Sequence, residues 1–224
     1  MAKDKRSGNP ETGSWQQQKS AMTREKILDS AVECFVELGY GGTTTAVVAE
    51  RAGVSRGAML HHFPSKSGLM QAAVDHLYKR MVALYTRYVE SIPADLSVDE
   101  RNRRGLQAYW KYLSSDLFTA YHELTISGRT DTELAAILEQ TAGKFVSTWK
   151  NANEQLFPDW AARGELYNLA MDITQFLLEG MAVSPIVTRR RERVKRILDY
   201  LGDRLEEIFH EGDDDAAISR HAKR

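Results

Sequence analysis

Cysteine is almost absent from this 224-residue sequence. Cys34 is the only one, so the chain can close no internal disulfide and offers no cysteine-based zinc site. That scarcity suits a reducing compartment, and Cys34 itself falls in an apolar helical stripe, where a core residue is expected rather than a redox sensor. Proline is scarce as well, with five residues, which leaves long stretches free to be helical. No apolar run approaches the ~20 residues that cross a bilayer. The charged, polar N-terminus has no hydrophobic signal core, so a cytoplasmic protein with no membrane contact is expected. Charge of one sign is lacking too: the formal net charge is −1, so any affinity for a polyanion must come from a local patch. Up to Arg80 there are eleven basic residues against eight acidic ones, a modest surplus at the N-terminal end.

What the sequence does have is helical periodicity, over a hydrophobic content of 42% that suffices for a buried core. Apolar residues recur at helical spacing over residues 23–38, where Ile27, Leu28, Ala31, Val32, Phe35 and Val36 share a face and Gly39 is the stop. A long stripe follows over 65–91, ended by Pro93. Periodicity resumes over 98–114, 117–127, 130–156, 161–183 and 190–210, with Pro158 and Pro185 as separators. No strand alternation, internal repeat or hairpin signal interrupts this pattern. The expected fold class is all-α. Residues 1–20 are expected to be a disordered polar arm, either a plain solvated tail or a basic segment touching DNA. A small domain at 21–67, a larger helical domain at 68–210 and an acidic disordered tail at 211–224 complete the expected layout.

The segment 43–66 carries the most information. Thr43, Thr44 and Thr45 have hydroxyls suited to cap a helix, Val47, Val48, Ala49 and Ala52 give a small apolar face, and Gly53 supplies the left-handed residue that ends it. Ser55 can cap a second short helix whose first turns expose Arg56, Gly57, Ala58, Leu60 and His61 while Val54, Met59 and Phe63 face inward. Pro64 stops it, and Ser65 can cap the next. Lys66 is poorly placed for a helix dipole but well placed for a phosphate. Two short helices joined by a tight glycine turn form a helix-turn-helix, which points to DNA.

Gly39-Tyr40, Thr43-Thr44, Val48-Ala49, Ala52-Gly53-Val54-Ser55, Gly57, His62-Phe63 and Ser65-Lys66 together resemble the N-terminal signature of the tetracycline-repressor (TetR) family. The likeness covers about the first third of the chain. It implies a three-helix DNA-binding domain, a larger C-terminal helical domain for ligand binding and dimerisation, and a homodimer released from operator DNA by a small molecule. Two positions depart from the common pattern: Ala58 stands where Thr is frequent and Leu60 where Tyr is frequent. The expected contacts to double-stranded operator DNA are Thr44, Thr45, Ser55, Arg56, Gly57, Ala58, His61 and Lys66. Arg56 is the best base reader, and Thr44, Thr45, His61 and Lys66 are the phosphate holders.

Two late helices carry apolar stripes that must be buried, in an internal core or in a two-fold interface with a second copy. The expected interface residues are Leu166, Ile173, Leu177, Met181, Ile197, Leu201 and Leu205. A dimer would set two reading helices ~34 Å apart, one turn of DNA. Between these helices and the N-terminal region lie many aromatics, which are core or the lining of a cavity for a small apolar or aromatic effector. The expected lining is Tyr85, Tyr88, Trp110, Phe118, Tyr121, His122, Phe145 and Trp149. The basic run 189–193 lies far along the chain from the helix-turn-helix and reads as a solvated helix start. Adjacent His61 and His62 point apart and cannot chelate one metal, so neither metal nor cofactor is expected. Ser114, Ser115, Asp116, His122 and Glu123 form no catalytic constellation, and no phosphate-cradling glycine loop or nucleophile elbow is present. The expected activity is therefore ligand-responsive, sequence-specific DNA binding by a non-enzyme, most simply a repressor. The alternative is a helix-turn-helix protein that binds DNA without a ligand.

Overall fold

A computed structural model describes residues 10–184 and 191–221, with side chains described for 15–184 and 191–210. Ten helices make up the ordered secondary structure among them: α1 (Pro10–Gly42), α2 (Thr45–Arg51), α3 (Arg56–His62), α4 (Lys66–Glu90), α5 (Val98–Leu113), α6 (Asp116–Ser127), α7 (Thr132–Leu156), α8 (Pro158–Ala161), α9 (Glu165–Ala182) and α10 (Arg191–His221). No strand occurs among the described residues.

The helices begin earlier and end later than periodicity suggests at both ends of the chain. Residues 10–20, expected to be disordered, are the first turns of α1. Pro10 sits at a helix start, where its fixed φ fits, and the Gln and Lys residues that follow are good helix formers. Likewise residues 211–221 continue α10 instead of forming a disordered tail. Both corrections have one cause: neither segment carries an apolar stripe at helical spacing. Residues 1–9, 185–190 and 222–224 lie outside the described residues, and with them the rest of the arm and tail, Pro185, Arg189 and Arg190.

Two compact units divide the chain. One combines the residues up to Leu77 with Glu123–Thr141; the other combines Tyr78–His122 with the residues from Ala142 onward. The division therefore falls within α4, α6 and α7. In the first unit Ile27, Ala31, Val32, Phe35, Val48, Met59 and Leu69 are all but inaccessible. Gly39, at φ +66, breaks α1, and the buried Thr43 hydroxyl donates to its carbonyl at 2.7 Å. Arg51 spans from α2 to Glu37 and Glu33 on α1, and His76 pairs with Asp29 at 2.8 Å.

In the second unit α5, α9 and α10 pack together. Ser97 and Glu100 form a capping box at the start of α5, satisfying two of the amides a helix start leaves free. Arg103 of α5 bridges Asp203 and Glu206 of α10. Gly105 is buried with the Phe157 ring so close that a Cβ would lie 2.7 Å from it. Gly105→Ala must push that ring aside, and overpacking of this kind costs ~1–3 kcal/mol. Chemical denaturation should show that loss; an unchanged midpoint would mean that Phe157 moves freely.

Candidate nucleic-acid interface and helical cavity

The helix-turn-helix is built by caps and one glycine. The Thr44 hydroxyl accepts from the Val47 amide at 3.3 Å and starts α2. Gly53 takes φ +61 in the turn, a conformation in which a side chain would clash with the following carbonyl. The Ser55 hydroxyl then accepts from the Ala58 amide at 3.1 Å and starts α3, and Ser65 does the same for the Gly68 amide at the start of α4. Thr45 is the first residue of α2, half-buried, and does not cap.

Burial fixes which face of α3 is offered outward. Met59 and Phe63 are buried, so Arg56, Gly57, Leu60 and His61 are exposed and Ala58 is half-exposed. Arg56 has no ion pair or hydrogen bond among the described residues, in contrast to Arg51, which the acids of α1 hold. Leu60 keeps 48% of its surface exposed, an apolar side chain in the middle of a polar face. Around Gly57 the nearest atom to a built Cβ is the Ser55 hydroxyl at 3.9 Å. No neighbour among the described residues requires glycine there, although glycine weakens a helix by ~1 kcal/mol. Lys66 is exposed with its ammonium 5.7 Å from the centre of the Tyr40 ring. Partial burial, then His61 and Arg24, hold the His62 imidazole below its usual pKa, which disfavours its charged form.

Three cavities lie in the second unit. One of about 410 Å³ is lined by Tyr121, Phe145 and Trp149 from the expected set, joined by Tyr112, Glu179 and others. An inner pocket of about 70 Å³ takes Tyr85, and Asn153, Tyr167 and Met171 line both. The Tyr85 hydroxyl donates to Asn153 at 3.2 Å, while the Asn153 amide donates to the Trp149 carbonyl. Trp110 instead lines a separate hollow of about 650 Å³ beside α10. Tyr88, Phe118 and His122 line none of these three. Tyr88 carries the Lys111 ammonium over its ring at 4.2 Å, and buried Phe118 stacks on His122 at 6.2 Å. Sequence reading missed the polar lining from α9. Asp172, Gln175 and Glu179 follow one another at i, i+3 and i+7, a polar stripe on an otherwise apolar helix, and that spacing was the available signal.

The α9 stripes also separate. Tyr167, Ala170, Thr174, Leu178 and Met181 are buried within the chain. Leu169, Ile173, Phe176, Leu177 and Val183 form an exposed stripe, Phe176 at 73%. Of the expected interface residues, Ile173 and Leu177 are exposed and Leu166 and Ile197 half-buried. Met181 and Leu201 are corrected to internal core, at 6% and 3% exposure, because they sit on the faces where α9 and α10 meet the rest of the unit. Leu205 lines the inner pocket and packs against the Trp160 and Phe209 cluster.

Comparison with known proteins agrees with this architecture. The profile of bacterial regulatory proteins of the tetR family matches residues 27–73. The uncharacterized HTH-type transcriptional regulator Rv2912c of Mycobacterium tuberculosis is 30% identical over 172 residues, 75% of this chain and 85% of that protein. The HTH-type transcriptional regulator CymR of Pseudomonas putida is 25% identical over 187 residues, 81% of this chain and 88% of its own. A TetR-family regulator structure from Mesorhizobium loti superposes with a TM-score of 0.63 at 14% identity, covering 86% of this chain and 96% of that one, and so shares the fold. On the extent and identity of these matches, the chain belongs to the TetR family of bacterial regulatory proteins and is a DNA-binding transcriptional regulator, not an enzyme.

Proposed function

We propose that the protein acts as a homodimer that represses transcription and leaves its operator when a small apolar or aromatic effector occupies the cavity of the second unit. The observation that carries the DNA part is α3 itself: a capped helix with an exposed arginine that no acid among the described residues holds. Arg56 lies in the first turn of α3, where a reading helix meets base edges, and its guanidinium can donate two parallel bonds to guanine. Gly57 lets the backbone of α3 come close to DNA, with Ser55 and Ala58 beside it. Leu60 offers an apolar contact to a thymine methyl. Thr44, Thr45, His61 and Lys66 are placed to meet phosphates around it.

Dimerisation is supported by the exposed stripe of α9, because contiguous apolar surface of this kind marks an association site. One seven-residue helix reads too few bases to bind tightly alone. The effector part rests on the aromatic cavity, whose volume falls within the usual ligand range. The proposed coupling element is α4, which carries Lys66 in its first turn and Tyr78 and Tyr85 of the cavity walls further along. A coupling of ~1–3 kcal/mol between effector and operator is expected, acting equally in both directions.

Gel shifts on DNA flanking the protein's own gene, across a salt series and with a panel of aromatic and apolar compounds, test this reading. Specific binding abolished by one compound is the expected result. Specific binding that no compound alters returns the ligand-independent alternative, and an absence of sequence preference at any operator sought genome-wide overturns the DNA assignment.

A further inference from the structure

The 410 Å³ cavity combines two chemistries that suit different ligands when taken alone. Its walls include Tyr112, Tyr121, Phe145 and Trp149. Tyr112 and Trp149 have ring centres 5.1 Å apart, and Phe145 lies 5.9 Å from both Tyr121 and Trp149. Aromatic rings around a cavity can offer a cation their faces, which carry the negative end of the quadrupole. Asp172 and Glu179 add two carboxylates against a single lysine, Lys150, which is exposed and pairs with Glu154 along its own helix at 3.7 Å.

Glu179 is the informative group. Its carboxylate accepts the Tyr109 hydroxyl at 3.3 Å and a bond from Gln175. No lysine or arginine pairs with it among the described residues. Burial raises its pKa, more than those two bonds lower it. A carboxylate drawn from water without a cation is unfavourable, and either a proton or an arriving positive charge relieves it. An anionic ligand would aggravate that imbalance, and a neutral one would leave it. A cation with an apolar body relieves it, and the same ring faces attract its charge.

We propose that this cavity takes an organic cation, an ammonium-type centre on an apolar or aromatic body, with the ring faces around it and Glu179 as its counter-charge. This rests on the effector reading above and narrows it, adding charge to the apolar or aromatic ligand inferred there. The adjoining apolar pocket at Tyr85 and Met171 can receive a small substituent.

Phenyltrimethylammonium and tert-butylbenzene, its neutral isostere of the same shape, are the probes. Calorimetric titration of the full-length protein should show the cation binding at least about tenfold more tightly. Glu179→Gln keeps the shape and an acceptor for Tyr109 but removes the charge. It should erase most of that preference while retaining the neutral probe. Equal affinity for the two probes, or a preference that survives in Glu179→Gln, overturns the charge assignment and leaves the effector cavity standing. Failure of both probes to bind at millimolar concentration overturns it too. In that case the compound panel with operator DNA decides separately whether the protein has an effector.

Discussion

Arg56→Ala should produce a folded protein that no longer tells its operator from a mutated one. Loss of a bidentate contact to guanine narrows that discrimination by ~1–3 kcal/mol, roughly tenfold to a hundredfold in relative affinity. The fold should not suffer, because Arg56 is exposed and makes no described contact within the protein. Lys66→Ala provides the contrast. A lysine on a phosphate contributes without regard to sequence, so its loss should weaken all DNA alike and reduce the salt slope by about one unit. Competition gel shifts with operator and scrambled duplexes, each over a salt series, separate the two behaviours. If Arg56→Ala weakens every duplex by the same factor, its guanidinium holds backbone rather than bases.

Phe176→Asp should act more broadly. Phe176 is the most exposed residue of the α9 stripe, and Ile173 and Leu177 flank it on the same helix. Two copies joined by a two-fold axis would bring such stripes face to face, so one substitution places a charge in the interface twice. The variant should run as a monomer in sedimentation at micromolar concentration with its helical content intact. Operator affinity should fall by roughly a hundredfold or more, towards the range of non-specific binding. A Phe176→Asp protein that remains dimeric would place the interface elsewhere.

The helix-turn-helix was legible in the sequence because its determinants are local. Thr44, Ser55 and Ser65 cap helices through amides three residues away, and Gly53 is needed for its own φ. The all-helical class was legible for the same reason. What a helix faces was harder to read. On α9 apolar residues fall on more than one face, so periodicity could not separate the inward set containing Leu178 and Met181 from the outward set containing Phe176 and Leu177. Aromatic spacing did not distinguish Trp149, which lines the cavity, from Phe118, which is packed beside it against His122. Glu179 escaped notice because the polar stripe it shares with Asp172 and Gln175 gains meaning only when distant parts of the chain bring rings to it.

Gly57 separates what the protein must do to fold from what it must do to read DNA. Its side is open, so a small residue such as serine fits without displacing any atom of the described residues and, by helix propensity, firms the helix slightly. New specificities could therefore arise at this position by single substitutions that leave stability untouched, and laboratory retargeting of the regulator to a different operator could begin there.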